Sequence, residues 1–178
     1  MPSNYGHRVI KYLYNDVQFK SKYELDKVNY IYTDCDVVPV PDCPRDFIEK
    51  FDQILKKYPA IKKVGFGLKI DDLPDYFTGK NWVLSKHTKH WQNKIVDKEL
   101  GIDLYASPID TTFCYRRANT APGKERKALR TGYPYLARHL SWYVDSNNLS
   151  SEDQYYISSV KGSKTSYFVR KKLYQKSR

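Results

Sequence analysis

Two carboxylates two residues apart, Asp34 and Asp36, close an apolar, β-prone run at residues 30–39, YIYTDCDVVP. In extended backbone, residues i and i+2 project from one face, so the pair is expected to point together at one object. On a central strand of an open α/β sheet that object lies off the carboxyl end, where such sheets bind ligands. Two oxygen donors there suit a hard divalent cation, Mg2+ or Mn2+, holding a phosphate. A strand running into an Asp-rich turn produces the same spacing with no ligand at all. Cys35, between the two acids, is expected to point the opposite way, into the fold.

The elements that must position this pair follow from periodicity. Ile10, Leu13, Tyr14 and Val17 recur at helical spacing and predict an amphipathic helix over about residues 7–19. Residues 28–33 read as the strand that delivers Asp34. Pro39, Pro41 and Pro44 argue against regular structure until a helix begins, with Pro44 in its first turn. Phe47, Phe51, Ile54, Leu55 and Tyr58 form that helix's buried stripe, and Pro59 ends it. Residues 63–70 predict a second strand, whose Gly65 and Gly67 share a face and suggest close approach by another backbone or a ligand. A turn at residues 71–74 leads to a Trp-containing helical stretch over 79–96, polar enough for a surface lid. Residues 104–107 and 111–116 predict strands, 118–127 a loop, and Ser150-Ser151-Glu152-Asp153 a capped helix start. Strands alternating with helices and then losing regularity predict an α/β fold with a mixed central sheet.

The composition narrows the classes. The 178 residues give one domain with a core, and they include 17 tyrosines. The formal charge of +11 favours an anionic partner. Most Lys pairs read as solvated faces, with residues 170–178 as a basic tail. No nucleic-acid-binding signature is present, so nucleic acid is not an expected partner. No apolar run is long enough to predict a transmembrane segment. Three cysteines (Cys35, Cys43 and Cys114), odd in number and without metal-ligand spacing, fit a reducing, cytoplasmic setting.

Several blocks in order carry a resemblance: Asp34-Cys-Asp36-Val-Val-Pro, Pro44-Arg-Asp46-Phe with its helix, and Lys63-Val-Gly65-Phe-Gly-Leu68-Lys-Ile70-Asp71-Asp72-Leu-Pro74. Further on come Ile109-Asp110-Thr-Thr-Phe113-Cys-Tyr115-Arg116 and Tyr135-Leu-Ala-Arg138-His139-Leu-Ser-Trp142-Tyr143. Together with Asn4-Tyr5-Gly6-His7-Arg8 they resemble a small group of GT-A-fold glycosyltransferases over about residues 4–157. The resemblance implies a GT-A-like, Rossmann-like fold and transfer of a sugar from a nucleoside diphosphate sugar, UDP-linked first of all, to a glycan or glycoprotein acceptor. It implies Mn2+ or Mg2+ as cofactor and inversion at the anomeric carbon. Such enzymes open with a strand–helix–strand unit that contacts base and ribose, and this chain starts at the turn after it, so the fold is expected to be N-terminally incomplete.

The same resemblance assigns roles. Asp36 is the direct cation ligand, Asp34 binds ribose or sugar hydroxyls or the cation through water, and His139 completes the metal site. An imidazole ligand tilts the choice toward Mn2+. Asp110 is the first candidate for general base, with Asp153 and Glu152 as runners-up whose setting also explains itself as a helix N-terminus. Trp91 and Trp142 are candidate sugar platforms, though core packing is the commoner fate of tryptophan. Asn4 lies in the turn before the first helix, and Arg8, Arg116 and Arg138 are candidate phosphate clamps. Two rivals remain open. A haloacid-dehalogenase-like phosphatase would use Asp34 as nucleophile and Asp36 as acid, and a basic, non-enzymatic binding module would use the tail and exposed tyrosines.

Overall fold

The computed structural model describes residues 9–109, 112–123 and 127–159. Among them a mixed, open seven-stranded sheet is flanked by helices, in the strand order β1-β6-β3-β7-β5-β4 with β2 paired to β7 outside that path. The strands are β1 (Tyr30–Tyr32), β2 (Val37–Pro39), β3 (Lys63–Leu68), β4 (Lys94–Asp97), β5 (Ile102–Ala106), β6 (Cys114–Arg116) and β7 (Ala128–His139). Only β3 and β7 run parallel; every other pair is antiparallel.

The core forms where helix α3 (Phe47–Lys57) lays Phe51, Ile54 and Leu55 against the sheet. Val64, Phe66 and Leu68 alternate along β3 and meet that stripe, all of them buried. Phe47, Phe51, Phe66 and Phe113 interlock, with centroids 4.9 to 6.1 Å apart. Such edge and tilted contacts add about 0.5–1.5 kcal/mol per pair beyond area burial. Pro44 precedes this helix rather than entering its first turn.

The two glycines of β3 behave as expected. A Cβ on Gly65 would stand 2.2 Å from the Phe113 carbonyl oxygen, and one on Gly67 would stand 2.4 Å from the Thr131 carbonyl oxygen. Backbone passes where a side chain would sit, so β6 and β7 can close on β3.

The structure corrects further expectations. The predicted helix over 7–19 is two helices, α1 (Val9–Asn15) and α2 (Val17–Lys22). Asp16 interrupts them because its carboxylate accepts from the Phe19 amide at 2.8 Å and caps α2, leaving Val17 80% exposed. Pro39 does not forbid a strand: it ends β2, which has β7 as its one partner, so the missing N–H costs no ladder bond. The stretch 79–96 is no lid. Helix α4 (Lys80–His87) buries Val83 in the core, a 3-10 turn follows over Thr88–Trp91, and residues 94–97 pair with β5 as β4. Cys35 is exposed, not turned into the fold, because residues 35–36 lie in a turn and the strand alternation has lapsed.

The twelve-residue strand β7 is absent from the sequence reading. Phe66 pairs with Thr131 but Gly67 with Leu136, so residues 132–135 have no partner on β3. The first half of β7 thereby serves β3 and β5, and the second half serves β3 and β2. No helix among the described residues is long and apolar enough to cross a membrane.

Candidate metal centre

Asp34 and Asp36 do not share the face of a strand. They sit in the turn that carries the chain from β1 to β2, and backbone bonding shapes that turn. The Val37 amide donates to the Asp34 carbonyl at 3.4 Å, and the Leu140 amide donates to the Asp36 carbonyl at 2.7 Å. Thr33 fastens its start: the hydroxyl donates to the Asp34 carbonyl and accepts from the Phe113 amide at 3.2 Å.

The partner arrives through register. β2 lies antiparallel on the end of β7 with Val37 opposite His139, which sets the imidazole beside the turn. Its Nε2 stands 3.5 Å from Asp36 Oδ1 and 4.0 Å from Asp34 Oδ2. One donor atom from each of the three residues falls within a 4.8 Å sphere of mutual distances, and all three side chains are half-buried.

These separations can be set against the distances of an ion pair and of a shared cation. A charged imidazole bonded to a carboxylate closes to about 2.7–2.9 Å, and neither contact is that short. Donors sharing one cation at about 2.1 Å are roughly 3–4 Å apart, and both contacts lie in that range. The other imidazole nitrogen supports the same use. Nδ1 is 2.7 Å from the Ser141 hydroxyl; if it carries the proton and donates there, the Nε2 lone pair faces the carboxylates. Two carboxylate oxygens and one imidazole nitrogen form a donor set that could hold a divalent cation.

Behind His139 the walls are aromatic. Trp142, 8% exposed, lies 4.9 Å from the His139 ring and 4.6 Å from the ring of His87, centroid to centroid. His87 in turn meets His90 at 5.4 Å, and His90 Nδ1 is 2.5 Å from the buried Ser107 hydroxyl. Burial, reinforced by the Arg130 guanidinium, holds both His87 and His90 down at about 4, so both are neutral near pH 7.

The remaining predicted site residues are dispersed. Arg138 is bound in a fork to Asp72, whose other oxygen accepts from Tyr143 at 2.6 Å. Burial raises the Asp72 carboxyl, but the bonds from Tyr143 and Arg138 outweigh it and hold it below the usual range. Arg116 is wholly buried and donates to the Thr120 and Ala121 carbonyls. Trp91 packs edge-on against Tyr105 at 4.8 Å and over Gly67. Asp153 opens helix α5 (Ser151–Ser159), its carboxylate accepting from the Ser150 amide and hydroxyl while its own amide donates to that hydroxyl, a reciprocal cap. Glu152 occupies the same first turn, exposed. Asn4, Arg8, Asp110 and the 170–178 tail lie outside the described residues.

Sequence reasoning passed over Ser141, His87 and His90. A hydroxyl two residues beyond a candidate ligand was the available signal for Ser141, and the i, i+3 histidines on a helix end were the signal for the other pair. Two concavities lie away from the acidic turn. One of about 530 Å3, bounded by residues from Tyr14 to Lys27, and one of about 300 Å3 beside Val96 and Tyr133 both lack Asp34, Asp36 and His139 from their walls. Comparisons with family models, with curated proteins and with solved structures return no match.

Proposed function

We propose that this chain is a divalent-cation-dependent glycosyltransferase with a GT-A-like fold, moving a sugar from a nucleoside diphosphate sugar, UDP-linked, to a hydroxyl of a glycan or glycoprotein acceptor with inversion. The observation that carries the reading is the convergence of Asp34, Asp36 and His139, three residues that the resemblance named from distant parts of the chain. The open mixed sheet with flanking helices supports it at the level of fold class.

Within this reading Mn2+ or Mg2+, when bound, neutralises charge that develops on the departing diphosphate. Asp36 is a direct ligand, Asp34 a ligand or a partner of ribose or sugar hydroxyls, and His139 the nitrogen donor. Ser141 holds the imidazole in the tautomer that ligation needs. Asp110 takes the acceptor's proton as the acceptor oxygen bonds to the anomeric carbon and the bond to the diphosphate breaks. Displacement from the opposite face inverts that carbon. Phe113, three residues beyond Asp110, is bonded to Thr33 at the head of the acidic turn.

The rival phosphatase needs a Ser or Thr, a Lys and a further acidic pair around Asp34, whereas the histidine beside both acids supports a shared cation site. A thermal-shift panel of UDP-, GDP-, CDP- and TDP-sugars with and without Mn2+ tests the proposal, since a ligand that binds the native state raises its Tm. UDP-sugars should raise it only with Mn2+ and should release UDP. Hydrolysis of p-nitrophenyl phosphate with Mg2+ in place of UDP release supports the phosphatase. Salt-sensitive polyanion binding that survives Asp36→Ala supports the binding module.

A further inference from the structure

Trp142 is a large side chain with an unusual pair of neighbours. Its ring lies 4.9 Å from that of His139, a member of the three-donor cluster, and 4.6 Å from that of His87, centroid to centroid. The indole is buried within the main core, and His87 is the last residue of α4. The Nδ1 of His87 is buried and has no hydrogen-bond partner among the described residues. With its ring packed against the indole, His87 acts as a wedge on Trp142.

His139 has two restraints on its ring. The bond from Nδ1 to Ser141 fixes one in-plane direction. Rotation about that direction meets the indole of Trp142, which packs against the ring in a tilted contact at an interplanar angle of 45°. The 3-10 turn Leu140–Trp142 carries ligand neighbour and indole on the same short segment, and the Leu140 amide ties that segment to Asp36. Metal ligation tolerates little misorientation of an imidazole lone pair, and groups that orient a ligand affect metal affinity nearly as much as the ligand does.

We propose that Trp142 is a positioning residue that sets the ring plane of His139 for cation binding, with His87 as the wedge that holds the indole in place. The inference rests on the divalent-cation reading above. It also makes the pair determinants of ion choice. The nitrogen donor is what distinguishes Mn2+ from Mg2+ at this site, since the two carboxylates serve both ions. Loss of the ring's orientation therefore removes Mn2+ preference while leaving oxygen ligation intact, which general destabilisation does not do.

The test measures Mn2+ affinity by electron paramagnetic resonance and Mg2+ affinity by competition, on the whole chain, for the unsubstituted protein, Trp142→Leu, His139→Ala and the double variant. Trp142→Leu should weaken Mn2+ about tenfold and leave Mg2+ within about twofold. On the His139→Ala background, the same substitution should change neither ion by more than about twofold, because the coupled partner is gone. Equal losses for both ions, an unchanged Mn2+ affinity, or a tenfold loss that persists without His139 would each overturn the inference. Should Trp142→Leu fail to fold, His87→Ala decides by the same ratio: a threefold or greater fall in Mn2+ preference supports the wedge, and an unchanged ratio removes it. Failure of the unsubstituted chain to bind Mn2+ is seen before any variant is made; it overturns the metal reading itself and this inference with it.

Discussion

Acidification should destabilise this protein through His87 and His90 well above the range where carboxylates titrate. Both are held near 4 in the folded chain against an ordinary value of 6.5, chiefly by burial and next by Arg130. The sign follows from which state takes up protons. Between pH 6.5 and 4 the unfolded chain binds a proton at each position and the folded chain does not, so stability falls as pH falls. For a shift of that size, each histidine costs about 1.8 kcal/mol between pH 7 and pH 5 by linkage. Both rings are partly exposed, and solvent screening brings the pair to about 2 kcal/mol in all. In a chain of this length that corresponds to a Tm lower by about 4–8 °C. The assay is urea unfolding at pH 7, 6 and 5, alongside the double variant His87→Leu/His90→Gln, which should lose most of the pH dependence. A stability that is flat from pH 7 to 5, or a proton resonance of either ring titrating above pH 6, refutes the reasoning.

Two further outcomes follow from the geometry. Gly65→Ala places a Cβ 2.2 Å from the Phe113 carbonyl, a clash with backbone that should cost about 3 kcal/mol; an unchanged calorimetric Tm would show that β6 is free to retreat. Asp110→Asn should lower sugar transfer by about 10²–10⁴-fold while leaving Mn2+ and UDP binding within about twofold. Turnover that survives the change removes Asp110 from the mechanism.

The parts of the fold that were legible in the sequence are those where local pattern and tertiary context agree. Helix α3 announces itself by a 3.6-period stripe and Pro59, and β3 by a continuous apolar run with its two glycines. The long strand β7 did not, because Thr131, Gly132, Tyr133 and Pro134 interrupt any alternation, and its two halves serve different neighbours. Residues 94–97 were lost for a related reason: four residues with one buried acid, Asp97, resemble the end of a helix until β5 is known to be opposite. Asp16 shows the converse, a polar residue that ends one helix by capping the next. At the site, the acids were visible in the sequence and their geometry was not. A two-residue spacing suggests a shared strand face, whereas the convergence comes from a turn held by Leu140 and Thr33. His139 reaches that turn only because β2 and β7 pair with Val37 opposite it, a register that no local pattern encodes.

In the proposed function, Asp34, Asp36 and His139 would hold one divalent cation that supports binding of a nucleotide diphosphate. Titration calorimetry of UDP into the chain with Mn2+ present, without Mn2+, and with Mn2+ after Asp36→Asn, tests it most directly. UDP should bind with Mn2+, and the binding should be lost on removing the ion and reduced at least tenfold by Asp36→Asn, with Tm unchanged or raised by the substitution. Equal UDP binding in all three conditions, or none in any, would contradict the account.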